Sequence, residues 1–312
     1  MTSGTAGAGI TVRSPTEDDA AAIVDLIAAA ETADFGRSGY GLADLRRDWT
    51  IPGWDPATDG WLALAGDTPV CWTYLFERRH SHQVAIEVYL RPGGPVEIAT
   101  DLIARALARA GDLATARGPL TAYLGLPATS PLVAAARAAG WSVVRHFYRM
   151  LRELDGTDRP PAGLPGVELR RVGAEDGDWR IMYDLLVEAF AEHWNVQFLP
   201  YDEWRAEQGR KHADPTLWWL ARLDGVDVAA LLASPDREGD GWINALGVLP
   251  AARGRGIGEL LLRTAFAEFA ARGKPTVALG VDAGNATGAV RLYERAGMHV
   301  AWRVDVLERA VG

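Results

Sequence analysis

The sequence predicts an α+β fold of two consecutive domains, each a mixed, mostly antiparallel sheet with helices on both faces. Three observations point to this fold: the length of 312 residues with 48% hydrophobic content, an internal repeat of domain size, and the order of strands and helices in the second half. A chain of this length and composition can bury two hydrophobic cores of ordinary size.

The internal repeat consists of paired segments at nearly constant spacing. Glu17 matches Glu175, and Trp61 of WLALAGD matches Trp219 of WLARLDG, at the same spacing of 158 residues, the difference between 175 and 17 and between 219 and 61. Short solenoid repeats have periods of about 20 to 50 residues, so this spacing predicts the duplication of a whole domain.

The segment LDGTDRPPAGLPG separates the two copies. Its three prolines and three glycines can sustain neither a helix nor a central strand. We therefore predict an N-terminal domain over residues 1–153, a linker over 154–166 and a C-terminal domain over 167–312.

The elements of the second copy follow in order. Val167–Arg171 is typical of a strand, and apolar residues at helical spacing after it predict a helix through Ile181 and Leu185. Asp224 and Gly225 join two β-type runs and predict a hairpin. The strand GWINALGVLP then ends at Pro250.

A helix is predicted from Gly258 to Arg272, ended by Gly273 and Pro275. The remaining elements are a buried strand TVALGVD, a helix TGAVRLYERAG closed by Gly297, and a last strand HVAWRVDVLER. The second copy therefore begins with a strand, a helix and a hairpin, and continues with strand, helix, strand, helix and strand. This order predicts a mixed sheet that helices cover on both faces.

Charge and composition exclude several classes of protein. A net charge of −9 and a pI near 5.2 argue against general affinity for nucleic acid or anionic membrane. No apolar stretch reaches the ~18 residues of a membrane span. The single cysteine, Cys71, is expected to be a buried, inert thiol in a cytoplasmic protein. We expect no metal site and a monomer or homodimer.

The glycine-rich turn LGVLPAARGRGIGELLL is the strongest candidate site. Backbone N–H groups at the start of a helix lack intrahelical acceptors and attract anions, and glycines let a phosphate approach closely. Arg253 and Arg255 add local positive charge. The alternative is a tight surface turn with solvated arginines. The turn lacks the Gly-Lys-Ser/Thr of a P-loop, and Asp282 fits a Rossmann fingerprint poorly.

Two segments, LGVLPAARGRGIGELLL and VALGVDAGNATGAVRLYERAGM, resemble the motifs of the GCN5-related N-acetyltransferases. The resemblance covers most of Val167 to Arg309, and the duplicated layout is similar to that of tandem members such as mycothiol synthase. It implies acetyl-CoA as the cofactor and direct attack by an amine of a small-molecule acceptor.

The resemblance also implies roles for individual residues. Peptide groups of Leu246, Gly247 and Val248 would pair with the pantetheine arm, and the Asn285 side chain would contact the cofactor. Tyr293 would stand near the sulfur, where its phenol can protonate the leaving thiolate. The pyrophosphate would bind backbone N–H groups of the loop residues Arg253, Gly254, Arg255, Gly256, Ile257, Gly258 and Glu259.

The sequence offers more than one candidate for the general base. Many relatives place a glutamate early in the strand before the loop, where this chain has the segment around Trp242. Glu192 and His193 are substitute bases, or else belong to a solvated helix end. Without the glutamate, an amine of low pKa is the easier acceptor, because a lysine amine is only ~0.1% neutral at pH 7.4. Trp194, Trp204, Trp218, Trp219 and Trp242 would form either an aromatic acceptor pocket or part of the core.

The first copy is predicted to be degenerate. At the repeat spacing, Gly256, Gly258 and Arg253 fall on Ile98, Thr100 and Pro95, and β-branched side chains would obstruct a phosphate loop. Two other functions stay open at this point: a non-catalytic acyl-CoA-binding sensor and an antibiotic-modifying acetyltransferase.

Overall fold

The predicted α+β class is confirmed in the computed structural model, which describes residues 9–51, 54–78, 81–173, 175–194, 196, 198–210, 213–237, 239–285 and 287–312. The chain divides into two units. Unit 1 comprises Met1–Phe147 and Trp302–Gly312, and unit 2 comprises Tyr148–Ala301.

Unit 1 is built on a sheet with the strand order β1-β2-β3-β4-β5-β12. The β4 and β5 strands pair in parallel, and the other neighbours are antiparallel. Its elements are β1 Ile10–Arg13, α1 Ala20–Phe35, α2 Leu42–Asp48, α3 Pro56–Asp59, β2 Gly60–Ala65, β3 Thr68–Arg78, β4 Gln83–Leu90, α4 Val96–Arg117, β5 Leu120–Pro127, α5 Pro131–Ala138 and the first part of β6 Ser142–Glu153.

Unit 2 is built on a sheet with the strand order β6-β11-β10-β9-β8-β7. The β10 and β11 strands pair in parallel, while the β7–β8, β8–β9 and β9–β10 pairs are antiparallel. After β6 its elements are β7 Val167–Arg171, α6 Asp176–Ala189, α7 Tyr201–Arg210, β8 Trp219–Leu223, β9 Val226–Arg237, β10 Asp240–Val248, α8 Ile257–Ala271, β11 Thr276–Asp282, α9 Ala289–Arg295 and the first residues of β12 His299–Val311.

The two units share one order of elements. From β1 to α5 and from β7 to α9, apart from the short helix α3, each strand or helix of unit 1 has a counterpart in unit 2. This agreement supports duplication of a whole domain. The hairpin predicted at Asp224-Gly225 joins β8 to β9, and both residues have positive φ (50° and 86°), as the tight turn requires.

The division into units differs from the boundaries expected from the sequence. Val304–Val311 of β12 pairs antiparallel with Leu120–Pro127 of β5, so the end of the chain belongs to unit 1 and not to a 167–312 domain. Residues 148–153 of β6 belong to unit 2. The apolar pattern of a strand shows that it is buried, but it does not show which strand it pairs with.

Burial of Cys71 agrees with the expectation from composition. Cys71 is a free, buried thiol, and burial raises its pKa to about 12, which leaves it unreactive at neutral pH. Within the described ranges, no helix is both long and apolar enough to cross a membrane.

A buried ion pair joins three neighbouring strands of unit 2. Arg149 of β6 donates to the Asp240 carboxylate of β10 at 2.7 Å, with side chains that are 4% and 0% exposed. The hydroxyl of Thr276 at the start of β11 donates to the other oxygen of Asp240. Both oxygens of this buried carboxylate are therefore hydrogen-bonded, as a buried charge requires.

We predict that Asp240→Asn lowers the free energy of unfolding of unit 2 by about 3 kcal/mol, because it leaves the buried Arg149 charge without its counter-charge. Arg263→Gln, which removes an exposed pair with Glu259, should cost under about 1 kcal/mol. Urea unfolding followed by tryptophan fluorescence measures both variants. Equal losses in the two variants would contradict the prediction.

Candidate functional site

The strands β10 and β11 diverge after a short parallel pairing. Their register covers only Gly241–Ile243 against Val277–Leu279, although β10 continues to Val248 and β11 to Asp282. Between Ile243 and Ala245 the pairing of β10 with β9 shifts by one residue, which makes Asn244 a β-bulge. Bulges bend a strand, and among the described residues no strand pairs with the peptide groups of residues 245–248 on the β11 side.

The turn after β10 presents backbone N–H groups at a helix start. Gly254 and Gly256 have positive φ (76° and 80°), and Gly256 is the N-cap of α8. The first hydrogen bond of α8 runs from the Leu260 N–H to the Gly256 carbonyl at 2.9 Å. The N–H groups of residues 257–259 precede this bond and have no intrahelical acceptor, so they can bind an anion.

The four glycines predicted to bind the cofactor differ in what they do. Gly247 lies against α6, where an added Cβ would be 2.8 Å from the Ala189 Cβ. At Gly258 an added Cβ would be 3.2 Å from Leu292 Cδ2, so this glycine lets α8 approach α9. Gly254 and Gly256 are instead required by positive φ. Two of the four glycines therefore serve packing.

The two arginines of the turn also differ. The Arg253 side chain donates to the carbonyls of Val248 (3.1 Å) and Ala189 (3.4 Å), which ties the end of β10 to the end of α6. Arg255 is exposed. The Glu259 carboxylate accepts a hydrogen bond from Arg263 at 2.9 Å within α8.

Asn285 forms the turn that leads into α9. Its Oδ1 accepts hydrogen bonds from the N–H (2.8 Å) and the hydroxyl of Thr287, and its own N–H donates to the Asp282 carbonyl at 3.0 Å. The oxygen of the side-chain amide is therefore used locally, and its NH₂ is the group left to face a ligand.

Tyr293 lies on α9 and is only 8% exposed. Burial raises its pKa to about 12, so the phenol stays protonated throughout the physiological range. Its hydroxyl makes no hydrogen bond to any residue in the described part of the chain. A hydroxyl without a partner in the described part of the chain, on a side chain that is mostly buried, is suited to donate to a ligand.

Glu192 and His193 lie in the turn after α6, which ends at Ala189, and not on the helix itself. Glu192 is exposed, whereas the His193 ring is partly buried and packs on Phe190 with ring centroids 4.5 Å apart. Burial and the charge of Arg253 lower the pKa of His193, against an opposing effect of Asp282. The neutral imidazole is therefore the main form at neutral pH.

The tryptophans proposed for an acceptor pocket are mostly core residues. Trp204, Trp218, Trp219 and Trp242 are buried, and the Trp218 indole donates to the Ala233 carbonyl at 2.9 Å. Trp194 is partly buried. Trp204, Trp218 and Trp219 therefore belong to the core of unit 2.

The corresponding turn of unit 1 has a different residue at the helix cap. Helix α4 begins at Val96 with Pro95 as its N-cap, so by helix position Gly256 corresponds to Pro95 and not to Ile98. The comparison at a constant spacing of 158 residues paired the wrong positions here, because the turn before α8 is longer than the turn before α4. Proline has no N–H and a fixed negative φ. The cap of α4 therefore has no N–H group and cannot adopt the positive φ that Gly256 has at the cap of α8.

The sequence did not indicate a role in the site for three residues that the structure places there. Leu164, assigned to the linker, would approach within 3.4 Å of a Cβ at Gly256. Asn244 is the bulge, and Asp282 acts on the pKa of His193. The polar Asn244 inside an apolar strand was the available signal for the bulge; the other two depend on distant contacts.

Residues 179–298 match the family model described as acetyltransferase (GNAT) family. A mycothiol acetyltransferase of Beutenbergia cavernae is 35% identical over 194 residues, 56% of this chain and 61% of that protein. A mycothiol acetyltransferase of Thermomonospora curvata is 32% identical over 195 residues, 62% of this chain and 64% of that protein. The match thus spans about six tenths of these relatives.

Solved structures resemble the chain over nearly its whole length. A GCN5-related N-acetyltransferase from Sphaerobacter thermophilus aligns with a TM-score of 0.84 and 29% identity, covering 98% of this chain and 97% of that one. A tandem GNAT protein from the clavulanic acid biosynthesis pathway aligns with a TM-score of 0.72 and 18% identity, covering 97% and 99%. The second likeness concerns the fold alone.

Proposed function

We propose that unit 2, which contains the residues 179–298 that match the acetyltransferase (GNAT) family model, transfers an acetyl group from acetyl-CoA to an amine of a small molecule. The observation that carries the proposal is the divergence of β10 and β11 beside the free N–H groups at the start of α8. An extended ligand ending in a pyrophosphate matches both features.

The residues present fit this cofactor. The pyrophosphate would bind the N–H groups of the turn from Arg253 to Glu259, where the helix dipole favours an anion. The peptide groups of Leu246–Val248 lack a partner strand on one side and would pair with the amides of the pantetheine arm. The NH₂ of Asn285 would add one hydrogen bond.

Tyr293 is proposed as the general acid. Acetyl-CoA supplies a thioester whose thiolate leaves when the amine attacks. The neutral phenol, with its pKa raised to about 12 by burial, can donate its proton to that sulfur. The same desolvation raises the pKa of the CoA thiol at this position. The difference in pKa between the phenol that donates the proton and the thiolate that accepts it is therefore smaller.

His193 is proposed as the base that accepts the proton of the attacking amine, with the exposed Glu192 as the alternative. The lowered pKa of His193 keeps it neutral and able to accept a proton at neutral pH. A weak base suffices for an amine whose own pKa is near 8, because such an amine is already partly neutral.

The acceptor is proposed to be a small-molecule amine. The relatives named mycothiol acetyltransferase make a mycothiol-related amine the first compound to test. The net charge of −9 argues against nucleic-acid or anionic-membrane partners. We propose a monomer or homodimer in the cytoplasm.

We predict that Gly256→Ala weakens acetyl-CoA binding at least tenfold, because a methyl group and a strained φ disturb the N–H groups that would hold the pyrophosphate. Gly273→Ala is the matched control, since Gly273 also has positive φ (73°) and open space around an added Cβ. Both variants incur similar backbone strain. Calorimetry that finds wild-type affinity in folded Gly256→Ala would remove the turn from the site.

We predict that Tyr293→Phe lowers kcat by roughly 10² to 10³, the scale expected for loss of a general acid, while acetyl-CoA affinity stays nearly intact. The loss should appear equally in kcat and kcat/KM, because the proton is donated only as the thiolate leaves. A thiol-release assay with an acceptor found in an amine screen measures both constants. If no amine releases CoA while acetyl-CoA binds, the sensor function is favoured.

We predict that Arg253→Met moves the acid limb of the kcat/KM profile to higher pH. Arg253 lowers the pKa of His193; without it the pKa rises and the imidazole becomes protonated at higher pH. Arg255→Met is the control and should leave the limb in place with the same acceptor. A limb that persists unchanged in His193→Gln would assign the base elsewhere, with Glu192→Gln as the next variant.

A further inference from the structure

We propose that unit 1 binds a small organic ammonium ion that also carries an oxygen acceptor, in an aromatic cluster between α1, α2 and the strands β2 to β4. This site goes beyond the proposed function, which concerns unit 2 alone. The cluster comprises Tyr40, Trp49, Trp54, Trp72, Tyr74 and Tyr89, packed around one hydrophobic core.

Three indole N–H groups of this cluster have no hydrogen-bond acceptor among the described residues. They belong to Trp49, Trp54 and Trp72, and all three nitrogen atoms are buried. Trp72 is fully buried, with a relative exposure of 0%. An unsatisfied buried donor costs about 1 to 3 kcal/mol, and three in one cluster indicate a site for a ligand with oxygen acceptors.

The rings of the cluster pack against one another. The Tyr74 ring lies between Trp54, at 5.3 Å between centroids, and Trp72, at 5.5 Å, and both pairs are tilted. Tyr40, Trp49 and Tyr89 pack against the same core. Aromatic faces attract organic cations, each by about 0.5 to 2 kcal/mol.

Acidic side chains give the cluster a negative potential. Asp48 accepts a hydrogen bond from the Tyr40 hydroxyl at 2.7 Å. Burial first, and then the interactions with Tyr89, Glu87, Tyr40 and Asp48, raise the pKa of Tyr74. The opposing cation is Arg47, which is paired with Asp44 at 2.8 Å and lies 3.9 Å from Asp48.

These features together define the chemistry of the ligand. An anion would be repelled by Asp48 and Glu87, and an apolar molecule would leave the indole N–H groups unsatisfied. A cation with a hydroxyl group satisfies the carboxylates and the aromatic faces, and its oxygen can accept hydrogen bonds from up to two of the three N–H donors.

Choline and 3,3-dimethylbutan-1-ol are the probes, because they have the same shape and hydroxyl group and differ only in the charge. We expect choline to bind the full-length protein at least tenfold more tightly than the alcohol by calorimetry. In protein labelled with ¹⁵N in the indoles, the Trp49, Trp54 and Trp72 resonances should shift on addition of choline.

Two variants locate the site. Trp54→Leu removes one aromatic face and one donor, and Asp48→Asn removes one charge at constant size; each should weaken choline binding at least fivefold. Trp61→Leu is the matched control, since Trp61 is a partly buried tryptophan of unit 1 that packs on another core cluster. Its affinity for choline should be unchanged.

Three results would overturn the proposal. Equal binding of choline and the alcohol would show an apolar site without cation recognition. No saturable choline binding, with unshifted indole resonances, would show that the three donors are satisfied by water. Loss of binding in Trp61→Leu to the same extent as in Trp54→Leu, with both variants folded, would place the ligand outside the cluster.

Discussion

The structure of unit 2 depends on where the parallel pairing of β10 and β11 stops. Three residue pairs join the strands, and the bulge at Asn244 then turns β10 away from β11. Peptide groups of a strand are obligatory hydrogen-bonding groups, so the edge at residues 245–248 requires a partner from outside the sheet. The connection through α8 places the free N–H groups of a helix start at the end of that edge, and one extended, anionic ligand can satisfy both.

The two units show how a duplicated fold can lose one part of this arrangement and keep the rest. In unit 1, β4 and β5 also pair in parallel over only a few residues, from Gln83 to Ile86 against Thr121 to Leu124. The cap of α4 is nevertheless Pro95, with φ of −71°, where α8 has Gly256 with φ of 80°. Strand divergence is a property of the whole sheet, whereas the anion site depends on a few turn residues, so the turn can change alone.

Local chemistry explains what the sequence could predict. Asp224-Gly225 specifies a tight turn by itself, and α8 begins within one residue of the expected Gly258 because the glycine-rich turn precedes an apolar repeat. Long-range pairing explains what it could not. The pairing of β12 with β5 and the reach of Arg253 to the Ala189 carbonyl connect segments far apart in the chain, and neither leaves a pattern in its own segment. The sequence could not decide whether the tryptophans line an acceptor pocket or pack in the core, because both kinds of ring have the same sequence signal.

Trp242 limits where the catalytic base can come from. It lies in β10 with 7% exposure, and the guanidinium of Arg149 from β6 stands over its ring at 4.9 Å. The one carboxylate of β10, Asp240, is buried and paired with Arg149. A base must then come from another segment, and the turn after α6 is held beside the end of β10 by the Arg253 hydrogen bonds. Arg253 thereby both positions that turn and lowers the pKa of His193. A base of lowered pKa accepts a proton weakly, which favours acceptors whose amines are already largely neutral at physiological pH over lysine-like amines.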